Sequence, residues 1–549
     1  MTERTAVDVI VVGAGISGIY ATYRMREIGR SVVTLERGDG VGGTWYWNRY
    51  PGLHCDVESI DYSYSFSEEL QQEWTWSQKF ATQPEILSYL EWVVDKVGVR
   101  PLLRFGKEVV AATWDDSAGR WLVETQTGEE FEAQYVIWGT GALSTPKIPR
   151  IAGMERFAGT VLNTATWPHE PQDFTGRQVA VLGTGSSGIQ TIPIVAEQAQ
   201  HLYVLQRTPS YSLPAHHRVL TDDDVAEVKA TYGERRDAAR ATAFGVVTNG
   251  TGKSALTVTE EERGAAFDAI YAYGSPVRFG ETFVDLATDL DANKTAVEFV
   301  TQKIRSRVND QSIADKLIPD YPILSRRLCV DTGYYETFNR KNVTLIDLRE
   351  DALIGLTETG FRTTKAEYDI DVLILATGFD ALTGTLNRID IRGIDGVRLR
   401  DVWEEAPLNY LGLAVAGFPN MFAVAAPGSP NAAANFVTAN EYQVDWVADL
   451  LVWMARHGYE RVEATESAQE DWVDHVATVN DKTVVPLSNS WFTGSNIEGK
   501  PRVVLQYFGG LHNYIKHTSQ LAEAGYPDMV FAVSPDDEGI LRAEEGLLR

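Results

Sequence analysis

Two glycine-rich loops in this chain have the residue types and the spacing that bind a dinucleotide. The first carries the letters GAGISG at positions 13–18 and follows a β-branched run, 7–12, that is typical of a buried strand. Its glycines permit a tight turn and let backbone N–H groups approach a pyrophosphate at the start of a helix, predicted at 19–28. The next predicted strand, 31–35, ends at Glu36, whose carboxylate can accept hydrogen bonds from ribose hydroxyls. This pattern predicts a dinucleotide site, with a purely structural turn as the alternative.

The second loop repeats this arrangement but is followed by a different residue type. GTGSSG at 183–188 lies between a predicted strand, 178–182, and a predicted helix, 189–199. The strand after it, 202–205, leads to Gln206 and Arg207 and not to an acid. A carboxylate there would repel a 2′-phosphate, whereas an arginine can bind it through two parallel hydrogen bonds. We therefore predict NADPH as the second nucleotide, the alternative being that Arg207 is a surface residue without a ligand.

Few side chains in the sequence could pass electrons onward from a nucleotide. The two cysteines, Cys55 and Cys329, are far apart and form no CxxC pair, which disfavours a disulfide framework and a thiol–disulfide reductase. The adjacent histidines His216 and His217 have no third ligand near them in sequence, so we predict no metal site. Two dinucleotide sites without such groups favour a flavin reduced by a pyridine nucleotide, with O2 or an external partner as the electron acceptor.

The elements that must position these loops alternate between strands and helices. This alternation predicts parallel sheets whose ligands bind at the carboxyl ends of the strands. From about 222 to 315 the sequence becomes charged with a helical period, and Thr221 and Thr259 each precede an acid by three residues, as helix N-caps do. Strand character returns at 343–346 and 371–375. The predicted fold class is α/β, with two Rossmann-like dinucleotide-binding domains and a helical insertion.

Charge and hydropathy narrow the class of partner. The 549 residues include 76 Asp and Glu against 49 Lys and Arg, a formal net charge of −27. Such a charge repels phosphate backbones and anionic lipid, so we expect neither nucleic acid nor a membrane surface as a partner. The sequence has no apolar run of about 18 residues, and the apolar stretch at 7–12 is too short for a secretory signal. We expect a cytoplasmic protein.

A series of motifs resembles the flavoprotein Baeyer–Villiger monooxygenases, most closely the phenylacetone and steroid monooxygenase branch. The resemblance extends from residue 7 to about 525. Besides the two glycine loops, it rests on GGTWYWNRYPG at 42–52, FAG at 157–159, WP at 167–168, SRR at 325–327, ATGFD at 376–380 and SWFTG at 490–494. The WP pair distinguishes the chain from the related N- and S-oxygenating flavin monooxygenases.

This resemblance implies an activity and its cofactors. NADPH would reduce FAD, and O2 would add to the flavin as a C4a-peroxide, which inserts one oxygen atom next to a ketone carbonyl and gives an ester or lactone. Arg327 matches the family's catalytic arginine, and Asp56 matches the acid that pairs with it. Arg326 matches a residue that shares the 2′-phosphate with Arg207. Trp491, on a mobile lid near 485–500, is expected to close over NADP+.

The resemblance also assigns further positions to the cofactors and the substrate. The predicted cofactor-binding residues are Gly13, Gly15, Ser17, Gly18, Glu36, Gly43, Thr44, Trp45, Asp56, Tyr62, Val109, Thr184, Gly185, Ser186, Ser187, Gly188, Ile189, Gln190, Arg207, Thr208, Arg326, Arg327 and Trp491. Ala432, Ala433 and Ala434 align with a loop that lines the ketone pocket in relatives, although a run of alanines is equally typical of a plain helix. Small residues there predict a roomy pocket.

One residue departs from the family pattern. The fingerprint FxGxxxHxxxW has a histidine where this chain has Asn163. In the family this position lies in the link between the two nucleotide domains, so the change puts the coupling of the domains in doubt. It motivates two alternatives: an uncoupled NADPH oxidase and a heteroatom (S or N) oxygenase. A slow redox-sensing or structural flavoprotein is a third hypothesis.

We predict that the two domains are interleaved along the chain. The oligomeric state is left open, and a monomer is compatible with the sequence. The predicted segments are 1–144 for the first part of the FAD domain, 145–220 for the first part of the NADPH domain, 221–320 for the helical insertion, 321–380 for the second part of the NADPH domain, and 381–549 for the second part of the FAD domain, which includes the substrate loop and the lid.

Overall fold

The computed structural model of this chain describes residues 4–533 and 541–542. A first sheet forms around the strand that precedes the first glycine loop, because Val9, Ile10 and Val11 are fully buried between its two faces. The strands of this region are β1 (Thr5–Val12), β2 (Val32–Leu35), β3 (Leu103–Arg104), β4 (Val109–Asp115), β5 (Arg120–Thr125) and β6 (Glu130–Trp138), and its helices are α1 (Ile16–Glu27), α2 (Thr44–Trp47), α3 (Glu68–Glu73) and α4 (Gln83–Lys96).

The first sheet combines parallel and antiparallel pairing. β1 lies between β2 and β6 and is parallel to both, as the motif predicts. β4, β5 and β6 form an antiparallel meander that the sequence analysis did not predict. Alternation of strands and helices gives no signal for such a meander, because its strands are joined by short turns.

A second, five-stranded parallel sheet forms around the second glycine loop. Its strand order is β12, β9, β8, β16 and β7, so the strand before the loop, β8, is central. The elements from here to the insertion are β7 (Thr160–Asn163), β8 (Gln178–Leu182), α5 (Ser186–Gln198), β9 (His201–Gln206) and β10 (Ser212–Pro214). α1 and α5 both begin three residues earlier than predicted, because the last residues of each glycine motif already form the first helical turn.

The predicted helical insertion follows. Thr221 and Thr259 form complete capping boxes with Asp224 and Glu262, so both predicted helix starts are present. The helices of this block are α6 (Asp222–Arg240), α7 (Glu260–Tyr273), α8 (Pro276–Gly280), α9 (Leu290–Arg307) and α10 (Gln311–Leu317). Phe267, Phe279 and Phe283 form its buried aromatic centre.

The chain then completes the second sheet. After β11 (Cys329–Asp331), which pairs with β10, and α11 (Tyr334–Thr337), two strands join the sheet at separate places: β12 (Val343–Asp347) beside β9, and β16 (Val372–Leu375) between β8 and β7. Between them lies an antiparallel three-stranded unit of β13 (Leu353–Leu356), β14 (Gly360–Thr363) and β15 (Glu367–Asp369).

The remaining chain returns to the first sheet. β17 (Asp390–Arg392) pairs with β4, and β18 (Met421–Ala423) pairs with β6. The other elements are α12 (Gly384–Arg388), α13 (Leu399–Val402), α14 (Phe436–His457), β19 (Arg461–Ala464), α15 (Glu466–Asn480), α16 (Leu511–Glu523), β20 (Met529–Ala532) and β21 (Leu541–Arg542). The fold is α/β, as predicted, and the chain crosses between its sheets twice. The segment boundaries given above stay a prediction, and their outermost ends lie outside the described residues.

Both glycine turns lie at the carboxyl ends of parallel strands and open towards one cleft. The turn after β1 packs against the residues after β6, and the turn after β8 packs against Ala376, which follows β16. Within the described ranges, no helix has the length and the apolar character needed to cross a membrane.

Candidate active site

The cleft between the two sheets has a volume of about 1160 Å³. Both glycine turns, the segment 42–57, the arginine pair Arg326 and Arg327, and part of the predicted lid line it. A cavity of this size exceeds what one drug-sized ligand fills, and it spans the ends of both sheets.

The first glycine turn has the shape of a cradle for a pyrophosphate. A Cβ atom on Gly13 would lie 2.7 Å from the carbonyl oxygen of Gly139, and one on Gly43 would lie 2.9 Å from the Cα of Gly15. Only glycine therefore permits this approach. No side chain caps the N-terminus of α1 at Gly15, so the first N–H groups of the helix remain available to an anion from the cleft. These features fit the diphosphate of FAD.

Glu36 lies at the edge of this cradle and is held rigidly. Its Oε2 accepts a hydrogen bond from the N–H of Ala14, and its Oε1 accepts one from the N–H of Gly38, both at 2.7 Å. The side chain is only 6% exposed and lines the cleft. Carboxylate oxygens can accept more than one hydrogen bond, so Glu36 retains acceptor capacity for ribose hydroxyls.

The segment that contains α2 forms another wall of the cleft. The indole N–H of Trp45 donates to the hydroxyl of Tyr62 over 3.2 Å, and the amide of Gln83 donates to the carbonyl oxygen of Trp45 over 2.6 Å. Thr44 and Val109 also line the cleft. These contacts fix the wall before any ligand binds.

The second glycine turn presents the same features. α5 begins after Gly185 without a side-chain cap, and a Cβ on Gly185 would meet no atom within 4 Å because the glycine faces open space. Gln190, on the first turns of α5, accepts from the hydroxyl of Tyr50 over 3.1 Å and donates to the carbonyl oxygen of His54 over 3.0 Å. One side chain of the second nucleotide unit is therefore bound directly to the segment that carries Asp56.

Arg327 and Asp56 form a bidentate ion pair inside the cleft. The Nε of Arg327 donates to Oδ2 of Asp56 over 2.8 Å, and its Nη2 donates to Oδ1 over 2.7 Å. The side chains are 26% and 19% exposed. The Nη1 atom of Arg327 also donates to the carbonyl oxygen of Ala432 over 3.2 Å. The guanidinium is thus held from two directions, in one orientation.

The electrostatics keep both members of this pair charged. Burial raises the pKa of the Asp56 carboxyl, but the charge and hydrogen bonds of Arg327 outweigh burial and leave that pKa below its usual range. Burial alone would lower the pKa of Arg327, and Asp56 reverses this, so the pKa of the guanidinium lies above its ordinary value. The site therefore contains a fixed cation near neutral pH.

Three cations converge at the nucleotide end of the cleft. Arg207, Arg326 and Lys147 all line the cleft, and none forms an ion pair with a carboxylate in the part of the chain that the structure describes. The guanidinium of Arg326 stacks over the ring of Tyr321 at 4.2 Å, and its buried Nε finds no hydrogen-bond partner there. Uncompensated cations around an unpartnered donor fit a phosphate. Lys147 was not predicted from the sequence, because a single lysine in a loop follows no motif.

Most predicted residues line the cleft, but five do not. Ser17, Thr184, Ser186, Ser187, Thr208 and Trp491 are among those that do. Gly18, Gly188, Ile189, Ala432 and Ala433 do not. The two glycines pack inside their turns, where a Cβ would lie about 2 Å from the carbonyl oxygen of Gly13 or Gly183, and Ile189 is fully buried core.

The alanine run is not the start of a plain helix. Residues Asn431–Ala433 form a single 3-10 turn, and α14 begins only at Phe436. Ala432 is buried against Val485 and Phe492, and of the three alanines Ala434 alone lines the cleft. Ala432 contributes to the site through its carbonyl oxygen, which Arg327 binds, and not through its small side chain.

Asn163 has a structural role that the sequence did not reveal. It ends β7, pairs with Leu375 of β16, and caps a 3-10 turn by accepting a hydrogen bond from the N–H of Ala165 over 2.9 Å. Ala165 lines the cleft, whereas Asn163 does not. The asparagine therefore acts on the cavity through the backbone of the residues that follow it.

Comparisons with known proteins agree with this geometry. Residues 10–263 match the family described as pyridine nucleotide-disulphide oxidoreductase. A Baeyer–Villiger monooxygenase of Pseudooceanicola batsensis is 38% identical over 95% of this chain and 96% of its own. A phenazine N-monooxygenase of Lysobacter antibioticus is also 38% identical, over 97% of this chain and 98% of its own. The solved structure of an oxidized steroid monooxygenase bound to NADP is 46% identical, has a TM-score of 0.93, and covers 96% of this chain and 100% of that one.

Proposed function

This chain belongs to the Baeyer–Villiger flavin monooxygenases, and we propose that the Arg327–Asp56 pair is the centre at which it inserts an oxygen atom next to a ketone carbonyl. Its cofactors are FAD and NADPH, and the product of the reaction is an ester or lactone. The observation that supports the assignment of the centre is the bidentate ion pair, which lies in the cleft between two uncapped glycine turns.

The two cofactors occupy opposite sides of the cleft in this proposal. FAD binds with its diphosphate at α1 and its ribose at Glu36, against the wall formed by Thr44, Trp45 and Tyr62. NADPH binds with its diphosphate at α5 and its 2′-phosphate between Arg207 and Arg326. When bound, these groups supply the hydride and the electrons that activate O2.

Arg327 contributes a cation whose position and charge do not change. Attack of an electron-rich oxygen on a ketone carbonyl places negative charge on oxygen, and a fixed donor at that place stabilises the transition state by about 3 kcal/mol. The guanidinium is suited to this role because Asp56 and the Ala432 carbonyl orient it and because Arg327 lines the cleft.

The lid contributes by excluding water. Ser490 caps the short 3-10 turn Trp491–Thr493, and Trp491 packs beside the buried Phe492 with ring centroids 4.4 Å apart. Exclusion of water strengthens the field of Arg327 and suppresses the loss of activated oxygen as hydrogen peroxide. We propose that Trp491 is the residue of the lid that closes the cleft against water.

The ketone occupies the apolar part of the cleft in this proposal. Ala434, Phe436, Leu143 and Trp491 provide apolar surface there, and the amide of Asn440 also lines the cavity. Two aromatic rings and a small alanine favour cyclic or aryl ketones over short acyclic ones.

The central experiment combines product analysis with one variant and a matched control. The purified protein should be yellow because it contains non-covalent FAD. When it is given NADPH, air and a panel of aryl, cyclic and steroidal ketones, it should form esters or lactones, which mass spectrometry identifies. Arg327→Ala should abolish the ester while NADPH still reduces the flavin. Arg326→Ala, the control, should weaken NADPH binding but retain ester formation at saturating NADPH. Ester formation by Arg327→Ala at near wild-type rate would exclude Arg327 as the catalytic arginine.

Heteroatom oxygenation is the second candidate, favoured by the phenazine N-monooxygenase relative. The same panel should therefore include an organic sulfide and an N-heteroaromatic compound. An N- or S-oxide formed from them, in the absence of any ester from the ketones, would favour this activity over the first.

A further inference from the structure

We propose that Lys147 is a positioning residue that couples recognition of the NADPH 2′-phosphate to the closed position of the lid, residues 485–500. This inference rests on the proposed NADPH site at Arg207 and Arg326. Lys147 lies outside the motifs that match the family. Its role would explain how the 2′-phosphate affects closure of the lid, although the phosphate takes no part in hydride transfer or oxygen insertion.

The backbone of Lys147 is fixed at the edge of the second sheet. Its N–H donates to the carbonyl oxygen of Gly378 over 2.8 Å, and its own carbonyl oxygen accepts from the hydroxyl of Thr377 over 2.6 Å. Both partners follow β16, which lies beside β8 in the sheet. The lysine therefore starts from a rigid position close to the carboxyl ends of the strands, where the second nucleotide is expected.

The side chain of Lys147 reaches the lid. Its Nζ donates a hydrogen bond to the carbonyl oxygen of Asn496, and the amide of Asn496 donates to the carbonyl oxygen of Phe379 over 2.8 Å. Lys147 and Asn496 both line the cleft. This contact holds the lid backbone to the nucleotide end of the cleft.

Among the described residues, no acid forms an ion pair with Lys147. Burial and the neighbouring charge of Arg207 lower the pKa of its ammonium group. An ammonium group has three donors, of which Asn496 takes one. Two donors remain for a phosphate dianion, which would also relieve the repulsion between Lys147 and Arg207. NADH has no group that could do this.

A second lysine, Lys500, also holds the lid in place, but its contacts do not require a phosphate. The Nζ of Lys500 donates to Oδ1 of Asp380 over 2.8 Å and to the carbonyl oxygen of Ala381 over 3.0 Å. Because Asp380 already neutralises Lys500, this contact should not depend on the nucleotide. Lys500 therefore offers a matched control in the same segment.

Hydrogen exchange of lid peptides covering 489–500 tests the inference. In wild-type protein loaded with FAD, saturating NADP+ should slow exchange roughly tenfold more than saturating NAD+, as expected for one charge-assisted hydrogen bond. Lys147→Gln keeps a hydrogen-bond donor on a shorter side chain but has no charge, so the two nucleotides should give equal protection. Lys147→Arg should restore part of the difference. Lys500→Met should speed exchange with both nucleotides and leave their difference intact.

The possible results separate this inference from the proposed function. If Lys147→Gln kept the wild-type difference between NADP+ and NAD+, or if wild type showed no difference while binding both, Lys147 would not couple the phosphate to the lid. If wild type failed to bind NADP+ and NADPH did not reduce its flavin, the proposed function itself would be wrong. A lower ester yield per NADPH consumed in Lys147→Gln, measured at saturating NADPH, would be the matching catalytic result.

Discussion

Replacement of Asp56 by asparagine should separate flavin reduction from oxygen insertion. Asparagine keeps the shape of the side chain and one acceptor, but it removes the charge and turns an amide N–H2 towards the guanidinium. Asp56 orients the guanidinium, and a fixed donor of this kind stabilises the transition state by about 3 kcal/mol. Loss of most of that contribution, about 2–3 kcal/mol, corresponds to roughly a 30- to 150-fold slower ester formation.

Two measurements on the same preparation check this expectation. Anaerobic mixing with NADPH, followed by the loss of flavin absorbance, should show reduction within about tenfold of wild type, because the hydride step precedes the need for Arg327. In air, product analysis should show less ester and more hydrogen peroxide per NADPH. Ester formation by Asp56→Asn within about threefold of wild type would refute the role given to the pair.

A matched control is available in the Arg307–Asp331 pair. Its Nη2–Oδ1 distance is 2.6 Å and Asp331 is fully buried, but neither residue lines the cleft. Asp331→Asn should lower the free energy of unfolding without changing the ester-to-peroxide ratio of the FAD-loaded enzyme. Equal shifts of that ratio in both variants would mean that Asp56 acts only through stability.

The pH dependence of the Asp56 effect follows from the direction of its pKa shift. Arg327 lowers the pKa of Asp56 in the folded protein. The contribution of this ion pair to folding stability is therefore fully present above the pKa of an unfolded aspartate, about 3.9, and is lost as pH falls through the lower folded-state pKa. The ratio of wild-type to Asp56→Asn activity should therefore stay constant between about pH 6 and 9. A ratio that changed across this window would indicate another titrating group.

Three further predictions concern residues in the cleft or next to it. Arg207→Ala should raise the KM for NADPH roughly 10- to 100-fold and that for NADH much less, since a charge-assisted contact contributes about 1.5–3 kcal/mol; equal effects on both cofactors would contradict the assignment. Asn163→His should change the ester-to-peroxide ratio by roughly 2- to 13-fold, as expected for one neutral hydrogen bond at the cap, and a wild type that makes only peroxide until histidine is introduced would overturn this. Cys329 should resist alkylation in the folded protein at pH 8, because burial raises the pKa of its thiol to about 11; rapid labelling seen by mass spectrometry would disagree.

Local patterns in the sequence predicted the parts of the fold that local interactions determine. The two glycine turns and the capping boxes at Thr221 and Thr259 each depend on residues within a few positions of one another. The β4–β6 meander was not predicted, because the alternation of strands and helices gives no signal for strands joined by short turns. The segment 381–549 was predicted to return to the FAD domain, but the pairing of β17 with β4 and of β18 with β6 was not, because pairing between distant segments leaves no local signal. The approach of Arg327 to Asp56, 271 positions apart, entered only through the family resemblance.

The candidate site was predicted least well where backbone atoms carry the contact. Ala432 was chosen for its small side chain, yet its carbonyl oxygen is what meets Arg327. Lys147 was missed although it lies among the unpaired cations, because its partners are a lid carbonyl and a neighbouring arginine. The roles of the individual site residues and the cytoplasmic location stay predictions.

The pairing of β18 with β6 has a consequence for the synthesis of this protein. Met421–Ala423 must reach the strand Glu130–Trp138, which leaves the ribosome almost three hundred residues earlier. Until then, Val136 and Trp138 lack the neighbouring strand that covers them, and the nascent chain exposes an unpaired, apolar strand edge. The second sheet is complete once Val372–Leu375 has emerged, so it can fold before the first. A chain that stops before residue 421 should therefore be captured by chaperones through that open edge, although its second glycine turn is already formed.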